Sequence, residues 1–471
     1  MKPVRIETRS KKMLADVFTP VGIYMRLRDR FRDTLLLEST DTQSAENSWS
    51  FICVNAIAGV EVLDAQTLEY KLPGQKPERV VIEAVPLTEL LKAFMQRFEM
   101  LPAADKEAKF AQGLYGYTAY DAIRFFEDVP MARNETNAIG LLRYRLYQYV
   151  IAIHHHQDAL YICENVIDGM ESEVDLLESI IRSKDVPAFP FALQGEESSN
   201  LTDATYIEMV KKGIASCLRG DVFQIVLSRS FSQAFLGDEF NVYRALRSIN
   251  PSPYLFYFDY GDYKIMGSSP EAQLMVRNGK AMLHAIAGTF QRSGDDLSDA
   301  QSAERLLHDQ KENAEHIMLV DLARNDLSRV CSDVKVAQLR KVQYYSHVIH
   351  MVSEIAGSVP ADCNPFTLLA NCFPAGTLTG APKVKAMQLI QNYESSPRTY
   401  YGGAIGYIGF DGSCNHAIMI RSFLSKDNTL FYRAGAGVVA ASDPETELQE
   451  VNNKLRALKQ AMLDAQNIFE M

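Results

Sequence analysis

The chain has 471 residues, of which 47% are hydrophobic and 23% are charged, an ordinary composition for a folded protein with a large apolar core. Its net charge of −11, without a long basic block, argues against nucleic acid as the main partner, because phosphate binding relies on clustered Lys and Arg. The seven cysteines form no CxxC pair and no apolar run approaches the roughly 18 residues of a membrane span, so we expect no disulfide framework, zinc site or membrane insertion.

The first part of the chain alternates strand-like and helix-like segments. A strand is predicted at SWSFICVNAIAGVEVLD, which is rich in Val, Ile and Phe. A helix is predicted after Pro86, where apolar residues recur at spacings of three and four residues. A hairpin is predicted at LLRYRLYQYVIAIHHHQDALYICENVI, with its turn at HQD. The stretch PAFPFALQGEESSNLTDATY has the composition of a linker, so we expect two domains, residues 1–195 and 196–471.

The sequence of the second part of the chain predicts more strands and several helices. Thr202 or Asp203 is the expected cap of a helix that ends at Gly220. Strands follow at DVFQIVLSRSFSQAF, at the hairpin PYLFYFDYGDYKIMGSS and at KAMLHAIAGTFQRS, and one long helix is predicted from about Ala300 to Asn325. Strands at YGGAIGYIGF, NHAIMIRSFL and TLFYRAGAGVVA precede a final helix. Adjacent hairpins predict the α+β class, with antiparallel sheets and helices packed outside.

The expected location is a reducing cytoplasm. The amino-terminal sequence MKPVRIETRSKKMLADVF is positively charged, but no apolar segment follows it as in a secretory signal. An odd number of scattered cysteines also fits a reducing compartment.

Two glutamate pairs, Glu312 with Glu315 and Glu447 with Glu450, have their members three residues apart in helix-like segments. This spacing places both carboxylates of a pair on one helix face, where like charges cost stability. A solvated surface tolerates that cost, and so does a hard divalent cation such as Mg²⁺ held between the two helices. The spacing leaves both interpretations open.

Other segments carry groups that suit an anionic ligand. Gly435 and Gly437 follow a strand, where they either admit an anion to backbone N–H groups or form a bulge. Arg421 lies inside an apolar strand and needs an anion from the protein or from a substrate. Tyr401 is either a hydroxyl donor or a core aromatic residue, and His350 is either a proton-transfer group or a core histidine.

Taken together, these segments resemble the chorismate-utilising enzymes. The resemblance runs from about Leu35 to Leu458 and is densest in the second half. It is carried by the segments GDVFQIVLSRSF, PSPYLFYF, GSSPE, AIAGT, DQKENAEHIMLVDLARND, HVIHMVSEIAGSV, FPAGTLTGAPKVKAMQLI, YYGGAIGYIGF, RAGAGVVAASDPETELQE and NNKLRAL. The family's fold implies antiparallel β-sheets in a sandwich-like core with helices outside.

In this family Mg²⁺ bridges glutamates and the ring carboxylate of chorismate. The resemblance implies Glu315 and Glu450 as direct Mg²⁺ ligands, with Glu312 and Glu447 beside them to hold water and shape the charge. It also implies Glu312 as the acid for departure of the C4 hydroxyl, provided that neighbouring carboxylates raise its pKa.

The resemblance implies further contacts with the substrate. Tyr401 and Arg421 would hold the enolpyruvyl carboxylate with Lys454 nearby, and His350 would serve in proton removal and loss of pyruvate. The implied substrate-binding residues are Ala287, Gly288, Thr289, Thr377, Tyr401, Arg421, Gly435, Ala436, Gly437 and Lys454.

Two positions distinguish the branches of the family. Isochorismate-forming members carry a water-activating lysine where this chain has Gln224, and a glutamine cannot be that base. Aminodeoxychorismate-forming members commonly carry a nucleophilic lysine where this chain has Ala287, whose methyl group cannot attack the ring. The resemblance therefore implies amination of chorismate by ammonia, followed by elimination of pyruvate to give anthranilate.

Regulation and partners are also implied by the resemblance. Ser39 in LLLEST, and Pro253, Tyr254 and Leu255 in NPSPYLF, resemble a feedback site for L-tryptophan. The chain carries no glutaminase signature, so we expect ammonia either free or from glutamine through an amidotransferase subunit, in a hetero-oligomer. The alternatives left open are an aminodeoxychorismate synthase, an isochorismate or salicylate synthase, and a non-catalytic homologue.

Overall fold

The computed structural model describes residues 2–39, 48–83, 85–103, 105–131, 139–344 and 348–469. The strands of the first part are β1 Val4–Leu14, β2 Thr34–Glu38, β3 Trp49–Val62, β4 Thr67–Lys71, β5 Glu78–Val81, β6 Phe98–Met100, β7 Gly113–Thr118, β8 Leu142–His154, β9 Ala159–Val166 and β10 Phe191–Ser199. Those of the second part are β11 Gln224–Gly237, β12 Tyr254–Asp259, β13 Tyr263–Ser269, β14 Ala272–Arg277, β15 Lys280–Gln291, β16 Ser332–Tyr344, β17 Val348–Ser358, β18 Gly380–Ala381, β19 Ala404–Gly409, β20 Cys414–Ile418, β21 Ser422–Lys426 and β22 Thr429–Val438.

The α-helices connect these strands and cover the sheets. They are α1 Pro20–Leu27, α2 Leu87–Met95, α3 Val174–Arg182, α4 Asp203–Leu218, α5 Phe240–Ile249, α6 Asp296–His308, α7 Gln310–Ser328, α8 Pro365–Cys372, α9 Gly376–Thr379, α10 Lys383–Tyr393 and α11 Pro444–Ala465. Side chains cap several of them as the sequence leads one to expect; Thr202, for example, accepts the N–H of Thr205 at the start of α4.

The strands form two antiparallel sheets that share β3 and β8. In one sheet the neighbours run in the order β10, β11, β22, β21, β13, β12, β2, β3, β8, β9, β1. In the other they run β5, β4, β3, β8, β7, β19, β20, β14, β15, β17, β16. Both sheets therefore combine strands from before and after residue 195, and the predicted domain boundary stays a prediction.

Strand β3 passes from one sheet to the other through a bulge. Its register against β8 shifts between Ala56 and Ala58, and Asn55 has a φ of 61°. The amide of Asn55 donates to Gln148 of β8 across a distance of 2.6 Å. Because a bulge bends a strand and increases its twist, two long paired strands can continue into a second sheet at this point.

Among the described residues, three large apolar cores give the molecule four layers, helices, sheet, sheet and helices, and a small fourth core lies between α6 and β17. Strand β12 shows how alternation builds them. Leu255 and Tyr257 face the core that is shared with α4, α5 and α11, whereas Phe256 and Phe258 face the core between the two sheets. A third core packs α2, α7 and α8 on the outer face of the second sheet. The predicted α+β sandwich with helices outside is confirmed.

Three predicted elements are wrong. The predicted linker contains β10, an edge strand on β11 that is mostly exposed and bulges between Gln194 and Ser198, which explains its polar composition. The single long helix is two helices, α6 and α7, that meet at Asp309. The strand predicted at NHAIMIRSFL is interrupted before Ser422, because Arg421 has a φ of 48°.

All seven cysteines lie within the described residues as free thiols. No helix in the described part of the chain has the length and hydropathy needed to cross a membrane.

Candidate active site

A cavity of about 220 Å³ opens where β11, β17, β22, α9 and α11 converge. Its lining combines cations, glycines and one carboxyl group: Glu271, His350, Thr377, Tyr401, Arg421, Arg433, Gly435, Gly437 and Lys454. Six of these residues were predicted from the sequence as substrate-binding positions and His350 as catalytic, so the fold brings them together from distant segments.

Arg421 supplies the cavity with a cation that the protein leaves largely uncompensated. Its Nη1 donates to the amide oxygen of Asn250 over a long 3.4 Å. Burial lowers the pKa of Arg421 from its ordinary value, and nearby Glu271 only partly opposes this effect. A buried guanidinium with a neutral partner favours a carboxylate ligand, because an anion would restore the charge balance that burial removes.

Strand β22 forms a flat wall of the cavity. Arg433, Gly435 and Gly437 alternate along one face of this strand, whereas Ala436 faces the opposite, helix-covered core. A Cβ atom at Gly435 would lie 2.8 Å from the carbonyl oxygen of Leu227, and one at Gly437 would lie 2.7 Å from Nε2 of Gln224. Gly435 is thus required by the close approach of a backbone oxygen, whereas a side chain at Gly437 would only displace the flexible amide of Gln224. The side chain of Ala436, predicted at the substrate, packs in the core instead.

Gln224 and Lys454 border the same wall. The contact with Gly437 places the amide of Gln224 at the edge of the cavity. Lys454 donates to the carbonyl oxygen of Gly435 over 2.9 Å and forms an ion pair of 2.6 Å with Glu450, one turn earlier on α11. The ammonium group therefore connects the glycine strand with the predicted metal ligand.

Tyr401 presents a protonated hydroxyl group to the cavity. Burial raises the pKa of Tyr401 to about 12, while the guanidinium of Arg398, 5.9 Å from the ring centroid, opposes the rise. The hydroxyl group consequently keeps its proton near neutral pH and can donate to an anion.

Glu271 is a site residue that the sequence did not single out. It follows β13, deep in the protein, with part of its surface facing the cavity, and Thr377 donates to its Oε1 over 2.8 Å. Burial raises the pKa of Glu271 to about 7, although Thr377, Lys454 and Arg421 lower it. Its segment, GSSPE, contributed to the family resemblance, but no local pattern distinguishes this carboxyl group from a surface one.

His350 enters the cavity from β17 and is nine-tenths buried. The neighbouring strand β15 carries Ala287, Gly288 and Thr289, and its register against β17 shifts between Ala287 and Thr289, which pairs with His350. This bulge brings the backbone of the AIAGT segment beside His350.

The two glutamate pairs lie on two helices that pack against different parts of the fold. Helix α7, with Glu312 and Glu315, packs on β15, β16 and β17, whereas α11, with Glu447 and Glu450, packs on β22, α4 and α5. None of the four carboxylates lines the cavity, and the described residues contain no group of three or more His, Cys, Asp or Glu side chains able to hold a metal ion.

The donor chemistry of these helices nevertheless fits Mg²⁺, which prefers carboxylate oxygens and retains several water ligands. Glu447 is buried, and Glu450 forms an ion pair with the ammonium group of Lys454, which lines the cavity. The four acidic residues on these two helices supply the type of oxygen ligand that such a cation prefers. The assignment of individual ligands stays a prediction.

The predicted feedback residues also come together. Strand β2 pairs with β12 so that Leu255 lies opposite Glu38, and this register brings Ser39 beside Tyr254. Glu38 is buried, with hydrogen bonds from Tyr243 and Arg247 of α5. Two motifs more than two hundred positions apart thus lie side by side in one sheet.

Comparison with other proteins gives a consistent result. Residues 38–460 match the family described as chorismate binding enzyme. Anthranilate synthase component 1 of Geobacillus stearothermophilus is 37% identical over 98% of this chain and 94% of that protein. The proteins of the same name from Aquifex aeolicus and Thermus thermophilus are 34% and 35% identical, over 96% and 97% of this chain and 93% and 98% of theirs.

Two solved structures share the fold of this chain. The crystal structure of anthranilate synthase component I from Streptococcus pneumoniae aligns with a TM-score of 0.76 and 28% identity, over 95% of this chain and 98% of that one. The menaquinone-specific isochorismate synthase of Escherichia coli, at 19% identity, shares the fold with a TM-score of 0.72 over 98% of this chain and 96% of its own.

Proposed function

The chain belongs to the family of chorismate-binding enzymes, and from this premise we propose that it is the synthase component of an anthranilate synthase. It would add ammonia to chorismate and then eliminate pyruvate to give anthranilate. One observation carries the proposal: a single cavity joins Arg421, Lys454 and two glycines, which suit carboxylates, with a carboxyl group whose pKa is about 7. Chorismate carries two carboxylates and a hydroxyl group that must be protonated to leave.

The roles of the residues follow from their positions. Arg421 and the hydroxyl group of Tyr401 would bind one substrate carboxylate, and the N–H groups around Gly435 and Gly437 would receive another. With both of its carboxylates bound in this way, chorismate is held at two points. Positioning of this kind converts the attack by ammonia into a reaction between pre-oriented groups.

We assign the acid that protonates the departing C4 hydroxyl to Glu271 and not to Glu312. Glu271 lines the cavity and is partly protonated at neutral pH, whereas Glu312 lies on α7 outside the lining. A buried acid whose pKa lies near the working pH is efficient in proton transfer. His350 also lines the cavity, and we assign to it the removal of the ring proton in the second step, the loss of pyruvate.

Magnesium belongs to the proposal as a cofactor. Glu315 and Glu450 would hold the ion, with Glu312 and Glu447 beside them, and the ion would supply positive charge for the ring carboxylate. In this chain Lys454 forms an ion pair with Glu450 and thereby orients the carboxylate that would hold the ion.

The nucleophile is proposed to be ammonia. Gln224 cannot act as the base that activates water, and Ala287 carries no amine that could attack the ring. We also propose that a glutamine amidotransferase subunit supplies ammonia within a hetero-oligomer in the cytoplasm. L-tryptophan would bind at Ser39, Pro253, Tyr254 and Leu255, which the β2–β12 pairing brings together.

Incubation of the pure protein with chorismate, Mg²⁺ and ammonium at alkaline pH tests the function. We expect fluorescent anthranilate and an equal amount of pyruvate. A 4-amino product that keeps its enolpyruvyl group would identify an aminodeoxychorismate synthase, isochorismate would identify a water-using enzyme, and unchanged chorismate would contradict every catalytic assignment.

A further inference from the structure

A second, smaller cavity of about 40 Å³ lies directly behind Glu271. Both cavities are lined by Glu271 and Thr377, so the hydrogen bond between these two side chains forms part of the wall that separates them. The remaining polar lining consists of Gln273, His284 and Asp326. A volume of 40 Å³ exceeds the roughly 10–15 Å³ that one water molecule needs, provided that two or more polar groups face it.

Gln273 provides an acceptor for such a water molecule. Its Nε2 donates to the carbonyl oxygen of Cys372 over 2.8 Å, which determines the orientation of the amide. Its Oε1 is buried without a hydrogen-bond partner among the described residues, in a side chain that is only 2% exposed. An unpaired buried acceptor is destabilising, and a bonded water molecule removes that cost.

The cavity also has a connection towards solvent. His284 lines it, has a side chain that is 25% exposed, and lies 3.7 Å from Glu354, which is 29% exposed. Asp326 is committed elsewhere, because its carboxylate binds the ammonium group of Lys383 over 2.6 Å. On the opposite side of Glu271, the charged groups that face it are Arg421 and Lys454 of the substrate cavity. The lining of the second cavity thus includes a partly exposed side chain on the side of Glu271 that faces away from the substrate cavity.

We propose that water in the second cavity, bound between Gln273 and Glu271, returns a proton to Glu271 in each catalytic cycle. The inference rests on the proposed function. Glu271 gives its proton to the C4 hydroxyl oxygen, the C4–O bond breaks and water leaves. The resulting carboxylate takes a proton from the cavity water, which is replenished from solvent beside His284. The added ammonia releases one proton to solvent, so the cycle neither consumes nor produces protons.

A crystal structure of the free protein at high resolution tests the binding of water without any turnover. We expect an ordered water molecule bonded to Oε1 of Gln273 and to the carboxyl group of Glu271, and its loss in Gln273→Met. A cavity without this water molecule in the unaltered protein overturns the proposal. This result is independent of which product the enzyme makes, so it separates failure of the inference from failure of the proposed function.

Kinetics test the proton path. In Gln273→Met we expect kcat to fall about fivefold or more while KM for chorismate changes less than about twofold, because proton transfer and not binding is affected. The solvent deuterium isotope effect on kcat should rise, and small weak acids such as acetic acid should restore the rate. A substitution that merely disturbs packing would give neither the larger isotope effect nor the rescue.

Two further variants keep the kinetic test decisive. Ala285→Val adds two methyl groups in the wall of the same cavity and should reproduce the isotope effect even if Gln273→Met folds poorly. Gln233→Met is the matched control, because Gln233 is also buried with its Nε2 on a carbonyl oxygen 2.8 Å away, in β11 outside both cavities. Wild-type isotope effects in both Gln273→Met and Ala285→Val would overturn the proposal.

Discussion

At the scale of single residues, burial gives Glu271 and Arg421 their chemistry. The same enclosed environment raises the pKa of the carboxyl group to about 7 and lowers that of the guanidinium, since each charged form loses its hydration. The carboxyl group becomes a usable acid at neutral pH, and the guanidinium becomes a strong site for an anion. A pocket of this kind is prepared for a substrate that carries both a carboxylate and a leaving hydroxyl group.

The substitution Glu271→Gln should lower kcat by about 10²- to 10⁴-fold, because an amide keeps the size of the side chain but cannot donate a proton to the leaving oxygen. KM for chorismate should change little. Steady-state production of anthranilate measures both constants. Glu239→Gln, a buried glutamate outside the cavity, is the control, and a Glu271→Gln enzyme with full activity would remove the acid role.

The pH dependence of the rate should report the same group. Because the protonated form of Glu271 is required, the rate should fall as pH rises through about 7. The concentration of unprotonated ammonia increases over the same pH range. Rates must therefore be compared at equal concentrations of unprotonated ammonia. Glu271→Gln should lack this alkaline decline. A decline that persists unchanged in the variant would assign it to another group.

At the scale of secondary-structure elements, a buried ion pair joins the walls of the substrate cavity. Glu394, at the end of α10, accepts two hydrogen bonds from Arg398 and two from Ser228 of β11. Arg398 also donates to the carbonyl oxygens of Val226 and Leu378, which both line the cavity. The pair therefore fixes β11 and α9 relative to one another, directly behind Tyr401.

Glu394→Gln should destabilise the protein by about 3–5 kcal/mol at pH 7, because it leaves the fully buried Arg398 without its counter-charge. Burial alone would raise the pKa of Glu394, but Arg398 and Arg433 hold it below its ordinary value. The ion pair thus stabilises the fold above the unfolded pKa of about 4.3 and loses that effect as pH falls through the lower folded value.

Urea unfolding at pH 7 and below pH 4 measures this difference. The difference in the free energy of unfolding between the wild-type protein and Glu394→Gln should be smaller at the lower pH. Glu208→Gln, which removes an exposed ion pair with Lys211, should change stability little at either pH. An equal gap at both pH values would show that lost packing, and not lost charge, causes the effect.

Helix α11 offers a test of the metal assignment. Glu450→Ala should abolish Mg²⁺-dependent turnover, and titration calorimetry in the presence of chorismate should show weakened Mg²⁺ binding. Glu445→Ala on the exposed first turn of the same helix is the matched control and should behave as wild type. Normal Mg²⁺ binding by Glu450→Ala would move the metal site elsewhere.

At the scale of the whole molecule, the shared strands β3 and β8 make two sheets into one unit. Strand β2, from the first part of the chain, inserts between β3 and β12, and β12 continues through β13, β21 and β22 to the glycine wall of the substrate cavity. A ligand that binds beside Ser39 would therefore contact the same sheet that carries the substrate site. This continuity would give the proposed feedback inhibition a structural route.

Ser39→Arg should make the enzyme insensitive to L-tryptophan, because the larger side chain would fill the space beside Tyr254. Inhibition curves for anthranilate production, with and without the substitution, measure the change, and activity without tryptophan should remain. Ser332→Arg on the exposed strand β16 should leave inhibition unaltered. Unchanged inhibition in Ser39→Arg would place the regulatory site elsewhere.

The sequence by itself determined the α+β class and most strands and helices, and its resemblance to a known family implied residues that line the cavity, such as Gly435, Gly437 and Arg421. These features depend on local periodicity and on residue types that only certain backbones accept. Tertiary structure alone decided that Asp309 separates two helices, that Ala436 faces the core, and that Glu271 rather than Glu312 lines the cavity. A carboxyl group becomes an acid only through the non-local neighbours that bury it, and no pattern within its own segment records them.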